Sequence, residues 1–143
     1  IFRPLGMKRS TLTSETVVNP FSGALSSPAD YVKFMAMLLN KGMGNNRKIL
    51  SEESVAELFK IQTGNAKIGF VPKGLEGYNY GLGNWMTGSG IHTSPGLSGG
   101  WPYINTQKKY ACIIWGIPKE KKEKDDKSAT VYSEVVELLE SRL

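Results

Sequence analysis

The run Tyr110-Ala-Cys-Ile-Ile-Trp-Gly-Ile117 constrains this chain most. Read as an extended strand, it is apolar on both faces, and such a strand must be covered on both sides. The fold therefore has to supply a sheet and layers to pack against it. A polar turn, Asn105-Thr-Gln-Lys108, separates this run from Gly99–Asn105. The two runs predict an antiparallel hairpin. Lys67–Val71 and Tyr78–Met86, short runs bounded by Gly and Asn, are further strand candidates.

Three helices are expected. The first covers residues 27–41, with Ser27 as N-cap, Pro28 at the first helical position and Asp30 at the positive end of the dipole. Tyr31, Phe34, Met35 and Leu38 fall on one face at spacings of three and four. Gly42 supplies the left-handed stop. The second helix starts after Ser51, carries Val55, Leu58 and Phe59 inward, and ends near Lys60 or Ile61. The third spans about 129–142. There Val131, Val135, Leu138, Leu139 and Arg142 line one side, and Glu134, Glu137 and Glu140 mark the other. Its apolar stripe is expected against the sheet. The layout is α+β, an antiparallel sheet packed by helices. Residues 1–24 read as an extended arm, 25–62 as a helical segment, 63–117 as antiparallel strands, 118–128 as a charged loop and 129–143 as the C-terminal helix.

Composition narrows the function classes. With 143 residues, 40% of them hydrophobic, the chain is rich enough in apolar groups to fold. Cys112 has no partner, which excludes a disulfide scaffold. No run of about 18 apolar residues marks a membrane helix. The net charge is +5. Its surplus Lys and Arg are scattered over the first half without interleaved aromatics, a basic surface rather than a nucleic-acid footprint. Lys119–Lys127 mixes both signs with no apolar residue and reads as a solvated loop. No metal-ligand spacing and no phosphate loop occur, so no cofactor is expected.

The most informative segment is Ile91-His-Thr-Ser-Pro-Gly-Leu-Ser-Gly-Gly-Trp-Pro-Tyr-Ile-Asn105. Gly96, Gly99 and Gly100 allow unusual dihedrals and close backbone approach. A strand edge entered from such a turn can donate free N–H groups to a substrate carbonyl or carboxylate. The same glycines also suit a structural turn with a bulge, and spacing leaves both readings open. Trp101, beside the turn, is the best candidate for a cleft wall. His92 reads as an exposed strand-edge residue, and Cys112 as a buried, inert thiol.

Four segments, in order, resemble the serine β-lactamase and penicillin-binding protein superfamily, in the branch of class C β-lactamases, DD-peptidases and related esterases. Phe2-Arg-Pro-Leu-Gly-Met-Lys-Arg-Ser-Thr11 is similar to its "F-x-P-L-G-M-x-x-T" arm. Ser22-Gly-Ala-Leu-Ser-Ser-Pro-Ala-Asp-Tyr31 is similar to its "G-G-L-x-S-T-A-x-D" helix start. Arg47-Lys-Ile-Leu-Ser-Glu-Glu-Ser54 is similar to the "L-S-x-E-x" start of the next helix, and Tyr78-Asn-Tyr-Gly-Leu-Gly-Asn-Trp85 to the "Y-G-x-G-W" strand. The Gly-rich turn then falls at the third catalytic motif, "[K/H]-x-G-x-x-G-G". The resemblance implies acyl transfer by a Ser in Ser-x-x-Lys, assisted by that Lys and a Tyr from Tyr-x-Asn. The third motif would line the cleft from an edge strand and complete the oxyanion hole.

The departures are specific. No Ser is followed three residues later by Lys. Tyr103-Ile-Asn105 matches Tyr-x-Asn but lies downstream of the third motif, where the family has a strand. Both missing motifs belong before Ile1, so the resemblance implies a C-terminal portion that is inactive alone. A register on the glycines places Ser94-Pro95-Gly96 at Lys/His-x-Gly, with Leu97 N–H as an oxyanion donor. Ser94, Gly96 and Leu97 are then the candidate catalytic positions, and His92, Pro95, Gly99 and Trp101 the candidate substrate-binding ones. A register on His92-Thr93-Ser94 instead keeps an imidazole. Ser94 carries no charge for a substrate carboxylate, which points to neutral esters or amides. The implied partners are a small ester, amide or peptide substrate in the complete protein, and either a missing N-terminal part or a second copy of this chain. A non-catalytic binding module of the same ancestry is the other class of function. Periplasmic or secreted location is implied by resemblance alone.

Overall fold

The computed structural model describes residues 1–13, 19, 23–96, 99–116 and 124–142. They form two compact units, residues 1–56 and 57–143.

In the first unit the arm is not simply extended. Residues 2–6 turn on themselves, with the Met7 N–H donating to Phe2 C=O at 2.9 Å. Leu5 and Met7 are buried. Strand β1 (Thr11–Leu12) pairs antiparallel with β2 (Ala24–Leu25). Helix α1 (Pro28–Leu39) starts as expected, with Ser27 Oγ accepting the Asp30 N–H. Asp30 ties the arm to α1: its carboxylate accepts from Arg9 N–H at 2.6 Å and Ser10 Oγ at 3.1 Å. Met35, Met37 and Leu38 are the buried apolar residues of α1, while Tyr31 and Phe34 stay half-buried. A hairpin of β3 (Met43–Gly44) and β4 (Arg47–Lys48) follows. Its turn residues Asn45 and Asn46 have φ of 49° and 56°, the left-handed pair that a tight two-residue hairpin demands. Helix α2 (Glu52–Leu58) opens at Ser51, whose Oγ accepts the Ser54 N–H, and the chain passes into the second unit within it.

The second unit is built on a five-stranded antiparallel sheet in sequential order. The strands are β5 (Asn79–Tyr80), β6 (Trp85–Met86), β7 (Ile91–Thr93), β8 (Gly100–Asn105) and β9 (Tyr110–Trp115). The β8–β9 hairpin is the predicted one, pairing Asn105 with Tyr110 and Gly100 with Trp115. Two strand expectations change. Lys67–Val71 is not a strand: Gly64, Gly74 and Gly77 at positive φ break its surroundings into turns. Tyr78–Met86 is not one strand but two, because Gly81 N–H bonds Asn84 C=O and Gly83 sits at φ 77°.

Helix α3 runs from Lys124 to Arg142. It begins five positions before the expected start at 129, so residues 124–128 of the expected charged loop are helical. Residues 118–123 of that loop, and residue 143, lie outside the described residues. The buried side of α3 also differs from the expected stripe. Ala129 and Tyr132 are buried with Leu75, Trp101 and Tyr103, and Val136 packs against them. Val131 and Leu138 face outward, 47% and 50% exposed. Glu140 is the cause. Its Oε1 accepts Tyr103 OH at 2.6 Å, Tyr110 OH at 2.6 Å and Asn105 Nδ2 at 2.8 Å. Lys108 Nζ lies 2.8 Å from its Oε2 and donates to its backbone C=O at 2.7 Å. The carboxylate is thus drawn to the sheet, and small Ala129 lets the helix approach Gly74.

Candidate functional site

Strand β7 and the turn after it carry the residues singled out by sequence. β7 is not an edge strand, since it pairs with β6 through Trp85–Thr93 and with β8 through Thr93–Tyr103. Its side chains alternate between the two faces. Thr93 faces α3 and His92 the opposite face.

His92 is accordingly buried, not an exposed edge residue. Its ring stacks on Phe59 with centroids 4.0 Å apart. Its Nδ1 lies 3.1 Å from Asn84 Oδ1. Asn84 Nδ2 donates to Leu58 C=O at 3.0 Å. A carbonyl can only accept, so this bond fixes the amide: Oδ1 faces His92, and His92 Nδ1 must carry the proton. Burial lowers the pKa of His92 to about 4, so the ring is neutral near pH 7.

Ser94 lies two residues on, on the same side of the strand as His92, and is exposed. Pro95 is half-buried and Gly96 exposed. The turn then closes: Gly99 N–H donates to Gly96 C=O at 2.9 Å, and Gly96 N–H to Gly100 C=O at 2.8 Å. Gly99 is buried at φ 88°, a conformation that requires glycine. The expected donor Leu97 lies outside the described residues. Trp101 is no cleft wall. It is 7% exposed, and its ring lies 4.3 Å from Tyr132 in the core under α3.

The arrangement brings Ser94, Pro95 and Gly96 together on one exposed hairpin tip. His92 braces that hairpin from one face and Trp101 from the other. Among the described residues it brings no general base to the Ser94 hydroxyl, and the hydrogen-bonded Ser10–Asp30 pair lies in the first unit, where it ties the arm to α1. Cys112 is half-buried in β9, and burial raises its thiol pKa. No cluster of His, Cys, Asp and Glu able to hold a metal occurs among the described residues. No helix there is long and apolar enough to cross a membrane. Sequence reasoning missed Asn84, Thr93 and Glu140 as organising residues. Each acts through a partner distant in the chain, and no local pattern announces that.

No family profile matches the chain, and no curated protein matches it. A solved structure does: the crystal structure of a "putative beta-lactamase" from Bacteroides dorei, 26% identical, with a TM-score of 0.69. The likeness covers 87% of this chain and 43% of that one. The chain therefore has a β-lactamase-like α+β fold and spans less than half the length of that neighbour.

Proposed function

We propose that this chain is the C-terminal portion of a β-lactamase-related serine hydrolase. The complete protein would act by acyl transfer on an ester, amide or β-lactam. A covalent acyl-enzyme needs a nucleophile activated by a base, and this sequence holds neither Ser-x-x-Lys nor a Tyr-x-Asn upstream of the third motif. The chain alone is then inactive and supplies one wall of the cleft. The observation that carries the reading is the likeness that fills 87% of this chain but only 43% of its neighbour. In this role Ser94, Pro95 and Gly96 form the contact surface, the Leu97 N–H is the proposed oxyanion donor, and Gly99 sets the turn. His92 and Trp101, both buried, hold the hairpin rather than touch substrate.

The test has two arms. The 143-residue chain should not turn over a chromogenic ester or cephalosporin. A longer natural protein that joins this segment to an upstream Ser-x-x-Lys should, and should be labelled by an active-site phosphonate at that serine. Turnover by the isolated chain that titrates with a phosphonate bound to it overturns the reading. The second reading, a non-catalytic binding module, is favoured by the uncharged, exposed Ser94 at the third motif. A longer protein without Ser-x-x-Lys that still binds a peptide would support it.

A further inference from the structure

Of the three tryptophans, Trp101 lies in the core under α3 and Trp85 packs against it. Trp115 faces the other way. It ends β9 and is 39% exposed. The strand register fixes its face. Trp101 pairs with Ile114, and Tyr103 with Cys112, on the side toward α3, so the pairs Gly100–Trp115 and Pro102–Ile113 stand on the opposite side. His92 pairs with Ile104 on that opposite side, and Ser94, two positions on, shares it. Gly96 N–H bonds Gly100 C=O, which carries the register through to the hairpin tip. Gly96, Gly100 and Trp115 therefore stand in one row, with Ser94 beside it.

A Cβ built on Gly100 would stand 3.6 Å from Cε3 and Cζ3 of Trp115. The indole thus leans from β9 across β8, toward the strand that carries Ser94 and Gly96. The chemistry of this face narrows what it can take. No Asp, Glu, Lys or Arg stands on it in β7, β8 or β9, so a charged ligand meets no counter-charge there. A sugar brings several hydroxyls, each needing a partner, and the exposed polar side chain of these strands on this face is Ser94. A flat aromatic ring needs no such partners and gains from an indole. The Ser94 hydroxyl can serve one polar group of the same molecule, as donor or acceptor.

We propose that Trp115 is a specificity-determining residue of this cleft wall. It selects a neutral ester or amide that carries an aromatic ring, with the ring on the indole and the polar group toward Ser94. The role of cleft wall, expected of Trp101, falls to Trp115 instead. The proposal rests on the hydrolase reading for its ester or amide, yet its test needs no turnover. A failure here leaves the hydrolase reading standing, and an upstream segment without Ser-x-x-Lys would leave the ring site in place.

The experiment is NMR on the isotope-labelled 143-residue chain, following the indole signals of its tryptophans. Phenylacetamide, acetamide and glucose are titrated in turn. Phenylacetamide should shift Trp115 saturably and leave the buried Trp101 in place. Acetamide and glucose at the same concentrations should leave Trp115 still. In Trp115→Ala the affinity for phenylacetamide, followed at the Ser94 and Gly96 amides, should fall about tenfold, the scale of one lost aromatic pair with its apolar contact. Trp115→Phe, which keeps a ring, should retain most of the affinity. Trp115→Leu, which still covers Gly100 but has no ring, should lose it, and serves if the alanine variant does not keep the Trp101 signal of the native fold. Phenylacetamide that leaves Trp115 unmoved, acetamide or glucose that shifts it equally, or a leucine variant that binds like the native chain would each overturn the proposal.

Discussion

His92 shows how one buried side chain sets a pH dependence. Its pKa falls from 6.5 to about 4 on folding, because burial penalises the imidazolium. The unfolded chain therefore takes up its proton first as pH drops. Stability from this group is complete above about pH 6.5 and is lost progressively as pH falls toward 4. The whole effect is on the order of 3 kcal/mol. His92→Gln, which still presents an N–H to Asn84 but does not titrate, should flatten the pH dependence of denaturant midpoints between pH 6.5 and 4. An unchanged slope would assign the acid sensitivity elsewhere. Tyr132 makes a different residue-scale case. Its buried hydroxyl has the side chains of Thr93 and Tyr78 as polar neighbours but meets neither in full hydrogen-bond geometry. Burying an unpaired hydroxyl costs about 1–3 kcal/mol. Tyr132→Phe keeps the ring against Trp101 and should be neutral or stabilising by about 1 kcal/mol in the same denaturation assay. A clear loss would reveal a bonded hydroxyl.

At the scale of elements, α3 is fastened through one carboxylate. Lys108 above all, then the two tyrosine hydroxyls, hold Glu140 at a pKa of about 2. The anchor is fully present above about pH 4.5 and is lost as pH falls through 2, a window below that of His92. Glu140→Ala leaves the Tyr103 and Tyr110 hydroxyls and the Asn105 amide without their acceptor. It should destabilise the chain by about 2–3 kcal/mol, and Glu140→Gln, which keeps a carbonyl, by less. Equal losses would mean that charge, not acceptance, holds the helix. The same anchor explains what is and is not legible in the sequence. Caps at Ser27 and Ser51, and the turn between β8 and β9, can be read because each is local chemistry. The direction of α3 cannot. Val131, Val135 and Leu138 form as good a stripe as Ala129, Tyr132 and Val136, and the choice rests on Glu140 meeting residues thirty or more positions away. Likewise the glycines of the β7–β8 turn are visible in the sequence. The burial of His92 is not, because it depends on Phe59 and Asn84 meeting it in space.

For the molecule as a whole, two features of the second unit stand uncovered together. β9 closes the sheet order with no strand beyond it among the described residues. α3, which packs on the same sheet, turns Val131 and Leu138 to solvent. An open strand edge and exposed apolar helix residues each favour association. In the proposed complete protein, further chain would cover this side. Without it the chain should associate with copies of itself. Light scattering across a concentration series should show the mean mass rising above the 15.7 kDa of the monomer. Val131→Lys with Leu138→Lys removes apolar area worth about 1.5–3 kcal/mol per side chain when buried and adds like charge to each copy. Both positions are exposed, so the fold should survive, and association should weaken by at least about tenfold. If the unmodified chain stays at monomer mass throughout, this side needs no cover. If it associates and the double variant associates equally well, the contact lies elsewhere, and the open edge of β9 becomes the place to substitute next.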